Sequence, residues 1–128
     1  MEKRDANQYS PLALAFLGDA VYEQLVRERL ILAANMPVGK LHILTVKRVC
    51  AGYQARAFDA ILPMLSEDEE AILKRGRNAS GNTVPKSSNP AEYHKATAVE
   101  TLFGYLYLMG NNSRIEDIFN IIWEIPTK

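Results

Sequence analysis

The chain has one cysteine, Cys50, so no disulfide can close within it, which suits a reducing compartment. It has no excess of either charge: 15 Lys+Arg face 15 Asp+Glu, a formal net charge of +0 at pH 7. That average counts against a generically basic nucleic-acid binder and against a strongly cationic membrane binder. No apolar run reaches the ~20 residues that a bilayer span needs, and the polar start MEKRDANQYS lacks a signal-peptide core. The expectation is a cytoplasmic protein with no membrane partner. His42, His94 and Cys50 are scattered with no ligand spacing, so they read as structural or surface residues rather than a zinc set. Walker, GxGxxG and GxSxG motifs are missing. What is present is ordinary for a globular protein, with 48% hydrophobic and 23% charged residues. The 128 residues suit a single domain, residues 1–128, able to bury about two thirds of the unfolded chain's surface.

Periodicity is helical throughout, with little strand alternation. Ser10 as N-cap and Pro11 at the first helical position open a helix to about Ala33. Its first half is apolar on nearly every side and belongs in the middle of the fold. Its second half carries Glu23, Arg27, Glu28 and Arg29 and emerges into water. After a loop at residues 35–39, a second long helix is expected from about Lys40 to Leu62. Ser66 and Glu69 form a capping box for a short helix that Gly76 ends. Residues 76–90 form the one long loop, and loops of about 15 residues within compact domains are often functional. Asn89-Pro90 starts a further helix to about Met109. Ser113 with Glu116 reads as a capping box for a last helix to about Glu124. The expected fold is all-α, with five or six helices in a single domain.

Two carboxylates stand out. Asp19 sits in LALAFLGDAV and Glu100 in ATAVETLFGYLYLM, the most apolar helical stretches of the chain. An unpaired buried carboxylate costs several kcal/mol, so each must find a partner, be neutral, or face a cleft. A salt bridge to a buried arginine would satisfy one such acid. Two of them, in two core helices, point to a shared cation. On a helical wheel Gly104 lies one turn after Glu100 on the same side, and a mid-helix glycine costs about 1 kcal/mol unless close approach requires it. The two helices are therefore expected to cross near Gly104, with Asp19 and Glu100 together and Gly18 serving a different contact. Two adjacent carboxylates raise one pKa unless a cation separates them. An oxygen-only set suits Mg²⁺, which keeps waters and takes one or two carboxylates.

The charges are also sorted along the chain. Residues 67–70, EDEE, carry −4, while residues 74–95 hold Lys74, Arg75, Arg77, Lys86 and Lys95 against Glu92, a net +4. Acids at a helix start and bases at its end complement the helix dipole, which accounts for Lys74 and Arg75. Arg77 and Lys86 lie further out. A cationic loop beside a carboxylate site suits phosphodiester chemistry on a polyanion.

These stretches resemble a known family. LAFLGDAV, residues 14–21, resembles the ribonuclease III signature LEFLGDAV, and TAVETLFGYLYL, residues 97–108, resembles the second stretch of that catalytic domain, D-x-x-E-A-L-x-G. Together with LKRGRNA, the chain is similar over nearly its whole length to the Mini-ribonuclease III family, which has the catalytic domain and no double-stranded-RNA-binding domain. The resemblance implies a ribonuclease III-like helical fold with Asp19 and Glu100 as metal ligands and catalytic residues. It implies that Phe16 plugs a pocket on a partner subunit, although core packing would suit its position equally. Ala15 and Thr97 stand where the larger enzymes carry two further acids, leaving two matched carboxylates rather than four. Glu23, one turn from Asp19, could complete the shell or simply pair with Arg27 at i,i+4.

The implied activity is that of a Mg²⁺-dependent endoribonuclease on double-stranded RNA, maturing the ends of the large-subunit (23S) ribosomal RNA precursor as a homodimer. Lys74, Arg75, Arg77 and Lys86 would contact the RNA, and a large-subunit ribosomal protein could present it. Ala15 and Thr97 leave open a non-catalytic RNA-binding or ribosome-assembly module on the same fold.

Overall fold

A computed structural model describes residues 1–79, 84–86 and 89–128. Among these residues there are seven α-helices and no strands. They are α1 (Lys3–Ala6), α2 (Pro11–Ala33), α3 (Val38–Val49), α4 (Ala51–Ile61), α5 (Glu67–Arg77), α6 (Pro90–Leu108) and α7 (Asn112–Trp123), with a 3₁₀ turn at Leu62–Met64. The all-α expectation holds, with more helices than the five or six expected. No described helix is long and apolar enough to cross a membrane.

Helix α6 is the axis of the fold. Every residue from Ala96 to Leu106 is buried except Glu100. Its apolar surface runs round the whole helix because α2, α4 and α5 pack on different sides of it. Tyr22 of α2 closes the core edge-on against Phe103 of α6 and Phe119 of α7, with ring centroids 5.6 and 5.7 Å away. Local signals start the helices as expected in three places. The Ser10 hydroxyl accepts from the Ala13 N–H at 3.1 Å, and Asn89 caps α6 in the same way. The Ser66–Glu69 capping box is complete.

Four expectations are corrected. The helix expected from Lys40 to Leu62 breaks at Cys50, whose ψ of 155° is extended, so α4 sets off in a new direction. Gly76 does not end α5, which runs on to Arg77. Gly76 is there because a Cβ would lie 2.5 Å from Thr101 Oγ1 and 2.9 Å from Ala98 Cα of α6. Helix α7 is capped by Asn111, whose Oδ1 accepts from the Arg114 N–H at 3.3 Å, rather than by Ser113. Gly18 does not serve a separate contact. A Cβ there would sit 1.7 Å from the Glu100 carbonyl oxygen and 2.7 Å from the Gly104 nitrogen. Gly18 and Gly104 are therefore two halves of one crossing between α2 and α6.

Candidate active site

The crossing explains how the two acids meet. A Cβ on Gly104 would lie 2.0 Å from the Leu14 carbonyl oxygen, so each glycine admits the other helix's backbone. Bare backbone at both positions lets α2 and α6 touch, and the next residue on α2, Asp19, then lies beside Glu100. Asp19 is exposed, on a groove of about 760 Å³ along α2 that Phe16, Glu23 and Arg27 also line. Glu100 lies deeper. Burial, then the charge of Asp19 and a hydrogen bond with it, push the Glu100 carboxyl up to about 8. A hydrogen bond from Gln54 acts the other way. Neither Asp19 nor Glu100 belongs to an ion pair among the described residues.

The donor set is oxygen-rich and thin. No cluster of three or more His, Cys, Asp or Glu occurs among the described residues. Ala15 and Thr97 are buried, and the Thr97 hydroxyl is committed to the Tyr93 carbonyl at 3.1 Å. Glu23 pairs with Arg27, Oε2 lying 2.7 Å from Nη2. The i,i+4 pair weighed from the sequence therefore forms, with Glu23 still on the Asp19 groove. Two carboxyls that enter no ion pair among the described residues fit a hard, hydrated cation such as Mg²⁺.

Sequence reasoning missed Gln54. Its side chain is almost wholly buried, at 2% exposure, and its Nε2 reaches the Val49 carbonyl at 3.0 Å and Glu100 Oε2 at 3.5 Å. Its Oε1 has no hydrogen-bond partner among the described residues. The signal was present in the spacing: Gln54 heads a stripe with Ala57, Phe58 and Ile61, all buried, where an amide is out of place.

The remaining residues lie around this centre. Phe16, one turn before Asp19, is 85% exposed, so it is not a core residue. Ile31, Leu32, Val38 and Ile43 are exposed as well. Lys74 pairs with Glu70 at 3.5 Å, and Arg75 reaches the carbonyls of Asn7 and Tyr9 at 3.4 Å. Arg77 hydrogen-bonds Asn78 and lies over the Phe58 ring. Lys86 is exposed. Arg75 thus sits near the start of α2, which is about 12 Å along the helix from Asp19 at 1.5 Å per residue. Part of the long loop, residues 80–83 and 87–88, lies outside the described residues.

Comparison with known proteins gives the family and the fold. The family model for the ribonuclease III domain matches residues 12–111. The chain is 45% identical over 108 residues to a Mini-ribonuclease 3 of Symbiobacterium thermophilum, covering 84% of this chain and 83% of that one. It is 43% identical to one from a Thermoanaerobacter species, over 94% of this chain and 85% of the relative. A crystal structure of a protein from Fusobacterium nucleatum superposes with a TM-score of 0.83 at 36% identity, covering 90% of this chain and 93% of that one.

Proposed function

Since the chain belongs to the ribonuclease III domain family and is an endoribonuclease of that type, we propose that it cuts double-stranded RNA with Mg²⁺ held by Asp19 and Glu100. The observation that carries this reading is the pairing of two carboxyls, with no cationic partner among the described residues, at a crossing that two glycines make possible. A cation bound there supplies an activated water for in-line attack on phosphorus and charge stabilisation for the leaving 3′-oxygen. The chain's own part is to place ligands of unequal exposure. Asp19, exposed on the groove, would hold the ion from the solvent side, where a phosphodiester can approach it. Glu100, behind it, would hold the ion from the buried side, as a carboxylate whose proton has been released to solvent.

We further propose that residues 1–128 act as one catalytic domain that pairs with a second copy. Exposed Phe16 beside Asp19, continued by Ile31 and Val38, supports an apolar surface covered by that copy. Each site would then cut one strand of a duplex. Lys74, Arg75, Arg77 and Lys86 supply the phosphate contacts, and recognition follows the A-form shape rather than the sequence. The substrate proposed is the base-paired end of the 23S ribosomal RNA precursor in the cytoplasm, presented with the help of a large-subunit ribosomal protein. Glu23, tied to Arg27, is assigned as a reserve ligand through its place on the groove.

The deciding experiment is magnesium-dependent cleavage of a purified RNA duplex, wild type beside Asp19→Asn. The variant is expected to fold and to bind RNA while losing at least about 1,000-fold in rate, the scale on which losing one electrostatic stabiliser acts. Full cleavage by Asp19→Asn overturns the assignment.

A further inference from the structure

We infer that Gln54 is a positioning residue of the cation site, orienting Glu100 through Nε2 and presenting its buried Oε1 to the waters around the bound ion. This rests on the reading of Asp19 and Glu100 as the cation's ligands. Helix α3 ends at Val49, and the break at Cys50 turns α4 so that Gln54, in its first turn, points inward. One amide nitrogen then serves two acceptors, the Val49 carbonyl at 3.0 Å and Glu100 Oε2 at 3.5 Å. That fixes the amide's orientation. Exchanging its two ends would put Oε1 against the Val49 carbonyl, an acceptor facing an acceptor.

The oxygen is the telling atom. Oε1 is buried and receives no hydrogen bond from any described residue. It is bonded to the same carbon as the nitrogen that touches Glu100, so it lies within one amide group of that carboxyl. An acceptor buried without a donor destabilises a fold, and an apolar residue at the head of this stripe would remove that burden. Closing the end of α3 requires only the nitrogen. The hydration shell of a cation held by two carboxylates is rich in donors, and one of its waters can satisfy Oε1. Groups in this position, behind the ligands of a metal, set the ligands' orientation and the ion's affinity.

The test compares full-length wild type, Asp19→Asn and Gln54→Met, the last preserving length and burial without the amide. Mn²⁺ binding to RNA-free protein is read by electron paramagnetic resonance, and duplex cleavage is resolved into kcat and KM. Gln54→Met is expected to weaken Mn²⁺ binding about 10-fold and to lower kcat at limiting magnesium, with KM for the duplex unchanged. Wild-type Mn²⁺ affinity in Gln54→Met overturns the inference and leaves Gln54 as a cap on α3. Binding by wild type that disappears in Asp19→Asn upholds the cation site whatever Gln54 does. Absence of binding by wild type overturns both. Should Gln54→Met fail to fold, the side-chain amide signal of Gln54 is followed by NMR in wild type during a Mg²⁺ titration. A shift saturating with the ion supports the inference, and an unmoved signal overturns it.

Discussion

Glu69 and Glu100 are both glutamates set into helix packing, and the protein treats them in opposite ways. Glu69 is 7% exposed and gripped by Arg114, with Nε 2.7 Å from Oε2 and Nη2 2.8 Å from Oε1. The Ser66 backbone N–H adds a third bond at 2.9 Å. The guanidinium, helped by Ser66, holds the Glu69 carboxyl below the ordinary carboxylate range. Arg114 in turn donates to the Met64 carbonyl at 2.9 Å, so one pair ties α7 to the start of α5. Glu100 has another acid as its neighbour, and burial with Asp19 drives it up to about 8. A buried carboxylate that its own fold completes is a joint. One with no cationic partner among the described residues, next to another acid, is a candidate functional site.

Removing the joint gives the largest stability effect. Arg114→Ala leaves a buried carboxylate with only its bond from the Ser66 N–H, and should cost about 3 kcal/mol in denaturant unfolding, the low end for breaking a buried pair because Arg114 is itself part-exposed. Cleavage per folded molecule should not change, since Arg114 touches neither Asp19 nor Glu100. A large fall in specific activity with little loss of stability would reverse the roles assigned to the two regions.

At the incomplete acid the sign is reversed. The folded-state value of Glu100, about 8, lies above the 4.5 expected when unfolded. Between those limits the folded protein holds a proton that the unfolded chain releases. The contribution of Glu100 is therefore complete below about pH 4.5 and is lost as pH rises to about 8. Glu69, held low, behaves in the opposite way: its stabilisation is present above about pH 4.5 and lost in acid. Glu100→Gln should flatten the alkaline decline of the cation-free protein and stabilise it by about 2 kcal/mol at pH 8, while abolishing cleavage. Thermal unfolding from pH 5 to 8.5 measures this, and Mg²⁺ should narrow the gap by supplying wild type with its missing partner. A wild-type profile as flat as the variant's would mean that Glu100 is not held protonated by its site.

The sequence made the acid pair legible because Asp19 and Glu100 violate the apolar pattern around them. Gly104 located the crossing for the same reason, as a mid-helix residue with no local justification. Gly18 was misread because its wheel angle differs from that of Asp19. Contact with α6 is decided by backbone touching backbone, and a glycine marks that whichever way neighbouring side chains point. The break at Cys50 left no local trace: Cys50, Ala51 and Gly52 include no proline, and the turn is set by what α4 packs against. Gln54 escaped notice because its importance depends on that turn. The Asn111 cap was hidden by a second plausible cap two residues later.

The smallest effect tests the basic residues, where the described structure separates neighbours that the sequence grouped together. Lys74 and Arg75 are engaged with Glu70 and with the carbonyls before α2, whereas Lys86 stands exposed. Arg77 falls between them, its guanidinium bonded to Asn78 and 5.8 Å from the Phe58 ring centroid. A guanidinium over a ring can still present its edge to a phosphate, so Arg77→Ala should weaken duplex binding several-fold and reduce the slope of log K against log salt by about 1. A cation–π contact at a part-exposed site contributes only about 0.5–1 kcal/mol, so stability should change little. Binding measured from low to moderate salt separates the two roles of this side chain. An unchanged slope with a small loss of stability would make Arg77 a lid on Phe58 and leave the phosphate contacts to its neighbours.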